Sequence, residues 1–116
     1  MTYFFENLLV YKESLRFSKL IFVTTDTWPS KYRFSLIDQI QRAALSIPLN
    51  IAEGSGKSPQ EFQRYLLIAR GSAYECIVLL TIAKDLSILP EKTYTELLDI
   101  IDHIVKMATG LKNKLR

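Results

Sequence analysis

The residues in this chain that could carry catalysis are few and scattered. The loop Gly54–Ser58 contains the Gly-Lys-Ser triplet of a phosphate-binding loop. The full motif also needs an earlier glycine at the position where Ile51 stands, and a strand before the loop, where a helical pattern precedes it. We therefore interpret the loop as a turn between two helices.

His103 and Cys76, the only histidine and the only cysteine, complete the candidates for acid–base, nucleophilic or metal chemistry. They fall on different predicted helices, and no serine or acid near them has the spacing of a catalytic triad. A zinc site cannot be built from one cysteine and one histidine, and the Glu-x-x-His pair of a di-metal bundle is missing. The sequence therefore predicts no enzyme, no metal site and no cofactor, with Cys76 as a small buried residue.

Polar residues recur at helical spacing on one face of the predicted second helix, at Arg42, Ser46, Asn50 and Glu53. On the predicted third helix, Ser72 and Glu75 interrupt an otherwise apolar seam. An ionised glutamate in such a seam is costly unless it is paired. We therefore expect a buried hydrogen-bonded network between the two helices, in which Arg42 or Asn50 pairs with Glu75 and fixes the helix register or a subunit contact. The alternative is an active site of Arg42, Glu53 and Glu75.

The chain is mildly basic, with 15 Lys and Arg against 12 Asp and Glu and a net charge of +3. This balance permits a nucleic-acid partner without demonstrating one. Some of the basic residues recur on one face of the predicted first helix, and others lie along the third helix and at the turn before it. The candidates for phosphate contact are Lys12, Arg16, Lys19, Lys57, Arg64 and Arg70. An ordinary solvated face is the alternative, and an oligomer would combine several such patches into a stronger field.

The elements that must position these residues are helices. Apolar residues at steps of three and four predict four amphipathic helices, at about 6–26, 31–53, 59–85 and 91–114. Pro48 lies inside the second pattern, which we interpret as one kinked helix that ends near Gly54 in a left-handed conformation. Ser58, Pro59 and Glu61 form a helix start with serine as the cap. Because the breaks are short, neighbouring helices must run antiparallel, which predicts an all-α, up-down-up-down four-helix bundle in a single domain over residues 1–116.

The apolar spacing also predicts which faces are buried. The seam expected for the first helix is Leu8, Tyr11, Leu15, Ser18 and Phe22, widened by Val10, Phe17, Ile21 and Thr24. The third helix has a second seam of Tyr65, Ile68, Ser72, Glu75, Leu79, Ile82 and Leu86. A surplus of aromatic residues near the first helix suggests a subunit interface formed by Tyr3, Phe4, Phe5, Phe17, Trp28, Tyr32 and Phe34.

The sequence also bears on the compartment of the protein. No apolar run approaches the length of about 18 residues that a membrane span needs. The first residues lack the positive flank of a signal peptide. We therefore expect a cytoplasmic protein with no membrane partner.

Two stretches of the sequence resemble a known family. The first includes Arg-Ala-Ala-x-Ser-Ile-Pro-x-Asn-Ile-Ala-Glu-Gly from Arg42 to Gly54, and the second runs from Glu61 to Glu75. With these motifs the chain resembles the four helix bundle protein family, also called 23S rRNA intervening-sequence proteins, which includes the accessory protein of diversity-generating retroelements. The residues that match the family signature are Arg42, Ser46, Asn50, Glu53, Gly71, Ser72 and Glu75, carried over as architecture-defining and not as catalytic.

The resemblance implies a four-helix bundle that assembles as a ring-shaped homopentamer and has no known catalytic activity. Retroelement members are basic, bind nucleic acid and associate with a reverse transcriptase, and the charge of +3 in this chain is smaller than theirs. Two hypotheses follow. The chain is a non-enzymatic oligomeric accessory protein that binds structured rRNA or retroelement RNA or DNA, or it is an interaction scaffold whose ring docks a protein partner.

Overall fold

The computed structural model describes residues 2–115, which form four α-helices and no strand. The helices are α1 (Leu9–Thr25), α2 (Asp38–Ser55), α3 (Pro59–Asp85) and α4 (Glu91–Lys114). The predicted all-α class is therefore confirmed. The helices pack in chain order around one core, because α2 contacts α1 and α3, and α4 contacts α3 and α1.

Side-chain hydrogen bonds give the direction of neighbouring helices. Gln63, near the start of α3, donates to the carbonyl of Leu115, just beyond α4, at 2.7 Å. The hydroxyls of Thr81, near the end of α3, and Tyr94, near the start of α4, lie 3.0 Å apart. The two helices therefore run antiparallel. Between α1 and α2, and between α2 and α3, later residues of one helix likewise contact earlier residues of the next. All neighbouring helices are therefore antiparallel, which gives the up-down-up-down bundle.

The first two helices start differently from the predicted ranges. A 3₁₀ turn over Phe4–Asn7 precedes α1, and Leu8 is extended between them. The backbone N–H of Tyr3 donates to the Glu6 carboxylate at 2.8 Å, which closes this turn separately from α1. The stretch before α2 is a 3₁₀ turn at residues 30–32 followed by a π-helical turn over Arg33–Ile37.

The start of α3 follows the predicted capping pattern. The hydroxyl of Ser58 accepts from the backbone N–H of Glu61 at 3.2 Å and lies 3.0 Å from the Glu61 carboxylate. Pro59 is the first helical residue, where its missing N–H removes no helical hydrogen bond. The bounds of α3 and α4 coincide with the ranges that the sequence predicts.

The buried face of α1 differs from the predicted seam. Its buried residues are Val10, Ser14, Phe17, Ser18, Ile21 and Thr25. Phe22, which belongs to the expected seam, is 42% exposed. Serine and threonine fit inside because each hydroxyl has a carbonyl acceptor, as Thr25 has in Ile21 at 2.7 Å. Val10, Phe17, Ser18 and Ile21 are buried as predicted, whereas the prediction was wrong for Phe22 and missed Ser14 and Thr25.

Pro48 lies inside α2 without ending it, so the prediction of one continuous helix is confirmed. Because proline has no N–H, the carbonyl of Ala44 lacks its helical donor. The buried hydroxyl of Ser18 on α1 lies 2.9 Å from that carbonyl oxygen and donates to it. The same hydroxyl lies 3.0 Å from the carbonyl of Ser14, which accepts a backbone N–H within α1. Ser18 thus replaces the hydrogen bond that Pro48 removes and joins α1 to α2.

Within the described range, α3 is the one helix that is long and apolar enough to cross a membrane by length and composition. Polar residues interrupt the apolar stretches of α3, so it contains no unbroken apolar run of the length that a membrane span needs. One such helix is weak evidence, since the core helix of a bundle has the same composition. α3 places eight of its residues in the core, including Phe62, Leu66 and Leu80.

Replacement of Ser18 by alanine should destabilise the fold by about 1–3 kcal/mol, because the buried Ala44 carbonyl loses its donor. The same replacement in a Pro48→Ala background should cost less, because the new backbone N–H can bond to that carbonyl. Urea unfolding of the four proteins, followed by circular dichroism, measures this coupling. Equal losses in both backgrounds would show that Ser18 does not serve the Ala44 carbonyl.

Candidate functional site

The residues with nucleophilic or metal-binding chemistry do not form a site in the described chain. Residues 2–115 contain no group of three or more histidine, cysteine, aspartate or glutamate side chains able to hold a metal ion. His103 is exposed on α4, whereas Cys76 is buried on α3. Burial and, to a smaller extent, the charge of the neighbouring Glu75 together raise the pKa of the Cys76 thiol to about 12. The thiol is therefore protonated near neutral pH and is a poor nucleophile.

A ladder of polar side chains joins α2 to α3 in the part of the chain that the structure describes. Its three pairs, with the donor first, are Gln39 to Glu75 at 3.4 Å, Ser72 to Ser46 at 2.9 Å and Tyr65 to Glu53 at 3.4 Å. We call these six residues the polar ladder. Its members on α2 are seven residues apart, which places them on one line along the helix. Asn50 adds to the ladder by donating to the carbonyl and hydroxyl of Ser46, at 2.7 and 2.9 Å.

The polar ladder differs from the predicted network in its pairing and in its burial. Glu75 contacts Gln39 and not Arg42 or Asn50. Arg42 is 82% exposed and forms a loose ion pair of 3.8 Å with Asp38. Glu75 is also exposed, so its charge keeps its hydration and needs no buried partner. Sequence reasoning missed Gln39, although its seven-residue spacing from the next ladder member on α2 was a usable signal.

The polar ladder places the carboxylates of Glu53 and Glu75, which the alternative hypothesis assigns to an active site, far apart. Gln39, the partner of Glu75, lies 14 residues before Glu53 on α2. This spacing corresponds to about 21 Å along the helix. Carboxylate pairs that act on one substrate bond lie roughly 5–10 Å apart. The arrangement of Glu53 and Glu75 therefore does not favour acid–base chemistry.

Gly54 allows α2 to approach α3 closely at one end of the ladder. A Cβ atom on Gly54 would overlap the Cβ of Tyr65 and lie 3.0 Å from a ring carbon of Phe62. Gly54 does not have the left-handed conformation that the sequence predicts, since no described glycine has a positive φ. Its role is to leave room for the neighbouring helix, which brings Tyr65 to Glu53.

Three of the predicted basic residues lie together on the exposed face of α1. Lys12, Arg16 and Lys19 follow one another at steps of four and three, which places them on one side of the helix. We call these three residues the basic stripe. Arg16 forms an ion pair of 3.1 Å with Glu13. The stripe faces solvent, on the side of α1 away from the core.

The other three predicted basic residues lie elsewhere. The charged groups of Lys57 and Arg64 lie 5.7 and 5.4 Å from the centre of the Tyr65 ring, beside the turn between α2 and α3. Arg70 is half-buried and donates to Thr109 of α4 at 3.1 Å, so it contributes to helix packing. Because α1 and α3 lie diagonally across the bundle, these three residues do not extend the basic stripe.

A long apolar face remains exposed on α2, on α3 and before α2. It comprises Phe34, Leu45, Leu49, Leu67, Ile68, Tyr74, Val78, Ile82 and Leu86, and we call it the apolar face. Phe34 is 92% exposed on its π-helical turn. The predicted second seam of α3 is therefore largely on the surface of the single chain, with Leu79 as its buried member. Two of the aromatic residues expected at a subunit interface, Phe17 and Trp28, instead belong to the core.

These features define a small all-α bundle whose notable surfaces are a basic stripe and an apolar face. The model of the 23S rRNA-intervening sequence protein family matches residues 6–110, and the chain belongs to this family. A crystal structure of a protein of unknown function from the S23 ribosomal protein family of Bacteroides thetaiotaomicron has the same fold, with a TM-score of 0.83. The two chains are 23% identical over 91% of this chain and 96% of the other. No curated protein matches the chain.

Replacement of Gly54 by alanine should destabilise the protein by about 1–3 kcal/mol, because the added methyl group overlaps α3. Gly110→Ala on α4 is the matched control, since no atom lies within 4 Å of a Cβ there. That change should stabilise the protein by about 1 kcal/mol through helix propensity alone. Urea unfolding measures both, and a stabilising effect of Gly54→Ala would contradict the close approach.

Cys76 should resist iodoacetamide in the folded protein near neutral pH and react fully in urea, because the thiolate is the reactive form. Mass spectrometry of the alkylated chain measures the difference. The raised pKa also gives the sign of the pH dependence. The contribution of this thiol to stability is complete below its unfolded pKa of about 8.5 and is lost as the pH rises toward 12. Rapid labelling of the folded chain would contradict the assigned burial.

Proposed function

We propose that this protein is a non-enzymatic, homo-oligomeric accessory protein of the cytoplasm that binds structured nucleic acid through the basic stripe. The pentameric ring suggested by the family resemblance is the proposed assembly. The proposed nucleic acid is structured RNA such as rRNA, in agreement with the description of the family, or the RNA or DNA of a retroelement. The observation that carries this proposal is the exposed side of α1, where Lys12, Arg16 and Lys19 stand on one line.

The geometry of the basic stripe suits phosphate contact. Its first and last residues, Lys12 and Lys19, are about 10 Å apart along α1. Phosphate contacts from lysine and arginine supply most of the affinity of proteins that recognise nucleic acid by charge. The pairing of Arg16 with Glu13 lowers the local charge, so one chain offers a modest patch. Repetition of the stripe in an oligomer would raise the local potential without changing any contact within the chain.

The apolar face supports self-association. Exposed apolar side chains grouped on one side of a protein often mark an interaction site. The face lies on the side of the bundle that α2 and α3 form, whereas the basic stripe lies on α1. Assembly through the apolar face would therefore leave the basic stripe open to nucleic acid.

A groove between the start of α1 and the end of α4 favours a second candidate function, a scaffold that docks a protein partner. The groove has a volume of about 290 Å³ and is lined by Leu8, Leu9, Val10, Met107, Gly110, Leu111 and Lys114. An apolar floor with one lysine at its edge is typical of a surface that receives apolar side chains of another protein. In this alternative, binding of nucleic acid is incidental.

The decisive experiment replaces the stripe residues by glutamine in the triple variant Lys12→Gln, Arg16→Gln and Lys19→Gln. Binding to structured rRNA and to duplex DNA is measured against salt, from about 50 mM upward. The variant should bind more weakly. For duplex DNA, the slope of the logarithm of the binding constant against the logarithm of the salt concentration should become less steep by about 0.9 for each lost phosphate contact. The oligomer mass should stay unchanged.

The matched control is the triple variant Lys31→Gln, Arg33→Gln and Lys92→Gln, which removes the same charge from exposed positions elsewhere. It should retain the affinity of the natural chain more fully than the stripe variant does. Equal losses in the two variants would show that only net charge matters. Absence of binding by the natural chain at low salt would overturn the nucleic-acid function, and a protein partner that survives high salt would favour the scaffold.

A further inference from the structure

We propose that α2 of one copy packs side by side on α3 of the next copy, with Arg42 paired to Glu75 of the neighbouring copy. This inference rests on the proposed self-association and names the surface and the charge pair that would create it. The partner is a second copy of this chain. Its support comes from the positions of residues along the bundle axis, which we call their levels. The apolar face, Gly71 and two exposed charges support it as well.

The apolar face sets the direction of the contact. From Leu67 on α3 to Leu86 just after its end, the apolar face extends over about 28 Å along the side of the bundle. Copies that cover it must therefore lie side by side. A cyclic oligomer with its axis along the bundle keeps each residue at the same level in every copy.

The polar ladder gives the level of Arg42 relative to α3. Gln39 on α2 pairs with Glu75 on α3, so these two residues share one level. Arg42 follows Gln39 by three residues, which is less than one helical turn. In a side-by-side contact, Arg42 of one copy therefore reaches α3 of the next copy at the level of Glu75.

Exposed apolar residues of α2 and α3 also lie at matching levels. Leu49 lies one turn before Glu53, and Ile68 lies about one turn after Tyr65, the ladder partner of Glu53. Because the helices run antiparallel, Leu49 and Ile68 share a level. Both are exposed, and Phe34 continues the α2 flank beyond the other end of the ladder. The apolar residues of α2 in one copy can thus cover those of α3 in the next.

Gly71 leaves open space on the exposed side of α3 for a close contact. Glycine in the middle of a helix lowers helix stability relative to alanine. No atom of the described chain lies within 4 Å of a Cβ at this position, so packing within the chain does not require glycine. Gly71 adjoins Ser72, whose ladder partner is Ser46, and the exposed Leu45 adjoins Ser46 on α2. In the proposed contact, Leu45 of one copy faces the notch that Gly71 forms in the next.

Arg42 and Glu75 give the contact its charge complementarity. Both side chains are exposed, and their described contacts within the chain are weak: 3.8 Å from Arg42 to Asp38 and 3.4 Å from Gln39 to Glu75. An apolar contact that covered either charge alone would be opposed by the cost of desolvation. Opposite charges at one level offset part of this cost and fix the register between copies.

Charge reversal and mixing test whether the pair forms between copies. Arg42→Glu and Glu75→Arg should each lower the oligomer mass measured by light scattering, because each places like charges in every contact. Mixing the two variants should restore oligomers that contain both chains, because every contact between unlike chains pairs opposite charges and only one contact of a five-membered ring must join like chains. The double variant should also assemble alone. Lys92→Glu and Glu96→Lys on α4 are the controls and should assemble as the natural chain does.

Gly71→Leu gives a second readout that does not depend on charge. The substitution should lower the oligomer mass, while the thermal stability of the dissociated chain at high dilution should stay the same or rise, since the position is open within the chain. Gly110→Leu is its control and should leave the mass unchanged.

The outcomes separate this inference from the proposed function. A natural chain that is monomeric at micromolar concentration would overturn both the self-association and the contact. An oligomeric natural chain whose mass is unaffected by Arg42→Glu, Glu75→Arg and Gly71→Leu would overturn this contact and leave the oligomer standing. Failure of the mixed variants to associate, with helix content intact by circular dichroism, would also overturn the charge pair.

Discussion

The carbonyl group that Pro48 leaves without a helical donor is the constraint on which the arrangement of the bundle depends. Such a group cannot stay unpaired in a core, and Ser18 of α1 supplies the hydrogen bond at 2.9 Å. This contact holds α2 on α1 at one level and with one face inward. Once that face is fixed, the opposite edge of α2 must carry the polar ladder to α3, and Gly54 allows the two helices to meet.

The ladder has consequences for the surface. Its pairs occupy the seam between α2 and α3, so the bundle uses polar side chains where many bundles use apolar ones. The apolar residues on either side, such as Leu49 and Ile68, then remain exposed. A surface of this kind suits a chain that works as part of an assembly. The basic stripe lies on α1, away from the apolar face.

The fold follows from the sequence to a large extent, and the candidate site much less. The cap at Ser58 and the leucine and isoleucine periodicity of α4 are local signals, and the structure contains both elements at the expected positions. The sequence predicts four of the six residues of the polar ladder, but it predicts neither Gln39 and Tyr65 nor the pairing. Whether Glu75 meets Gln39 or Arg42 depends on the relative level of two helices, and spacing within one helix does not contain that information. The separation in space of the basic residues on α1 from those on α3 likewise depends on how the helices pack.

The sequence by itself determined the number of helices, their approximate ends and the family of the chain, because these depend on local propensity, capping and long continuous motifs. Tertiary structure decided which side chains of α1 are buried and which apolar seam of α3 stays on the surface. It also decided which side chain forms a hydrogen bond to Glu75. The physical reason is that burial is a property of pairs of helices. Ser14 and Ser18 can enter the core because their hydroxyls find carbonyl acceptors, whereas Ile68 and Ile82 stay outside because no helix of the same chain covers them.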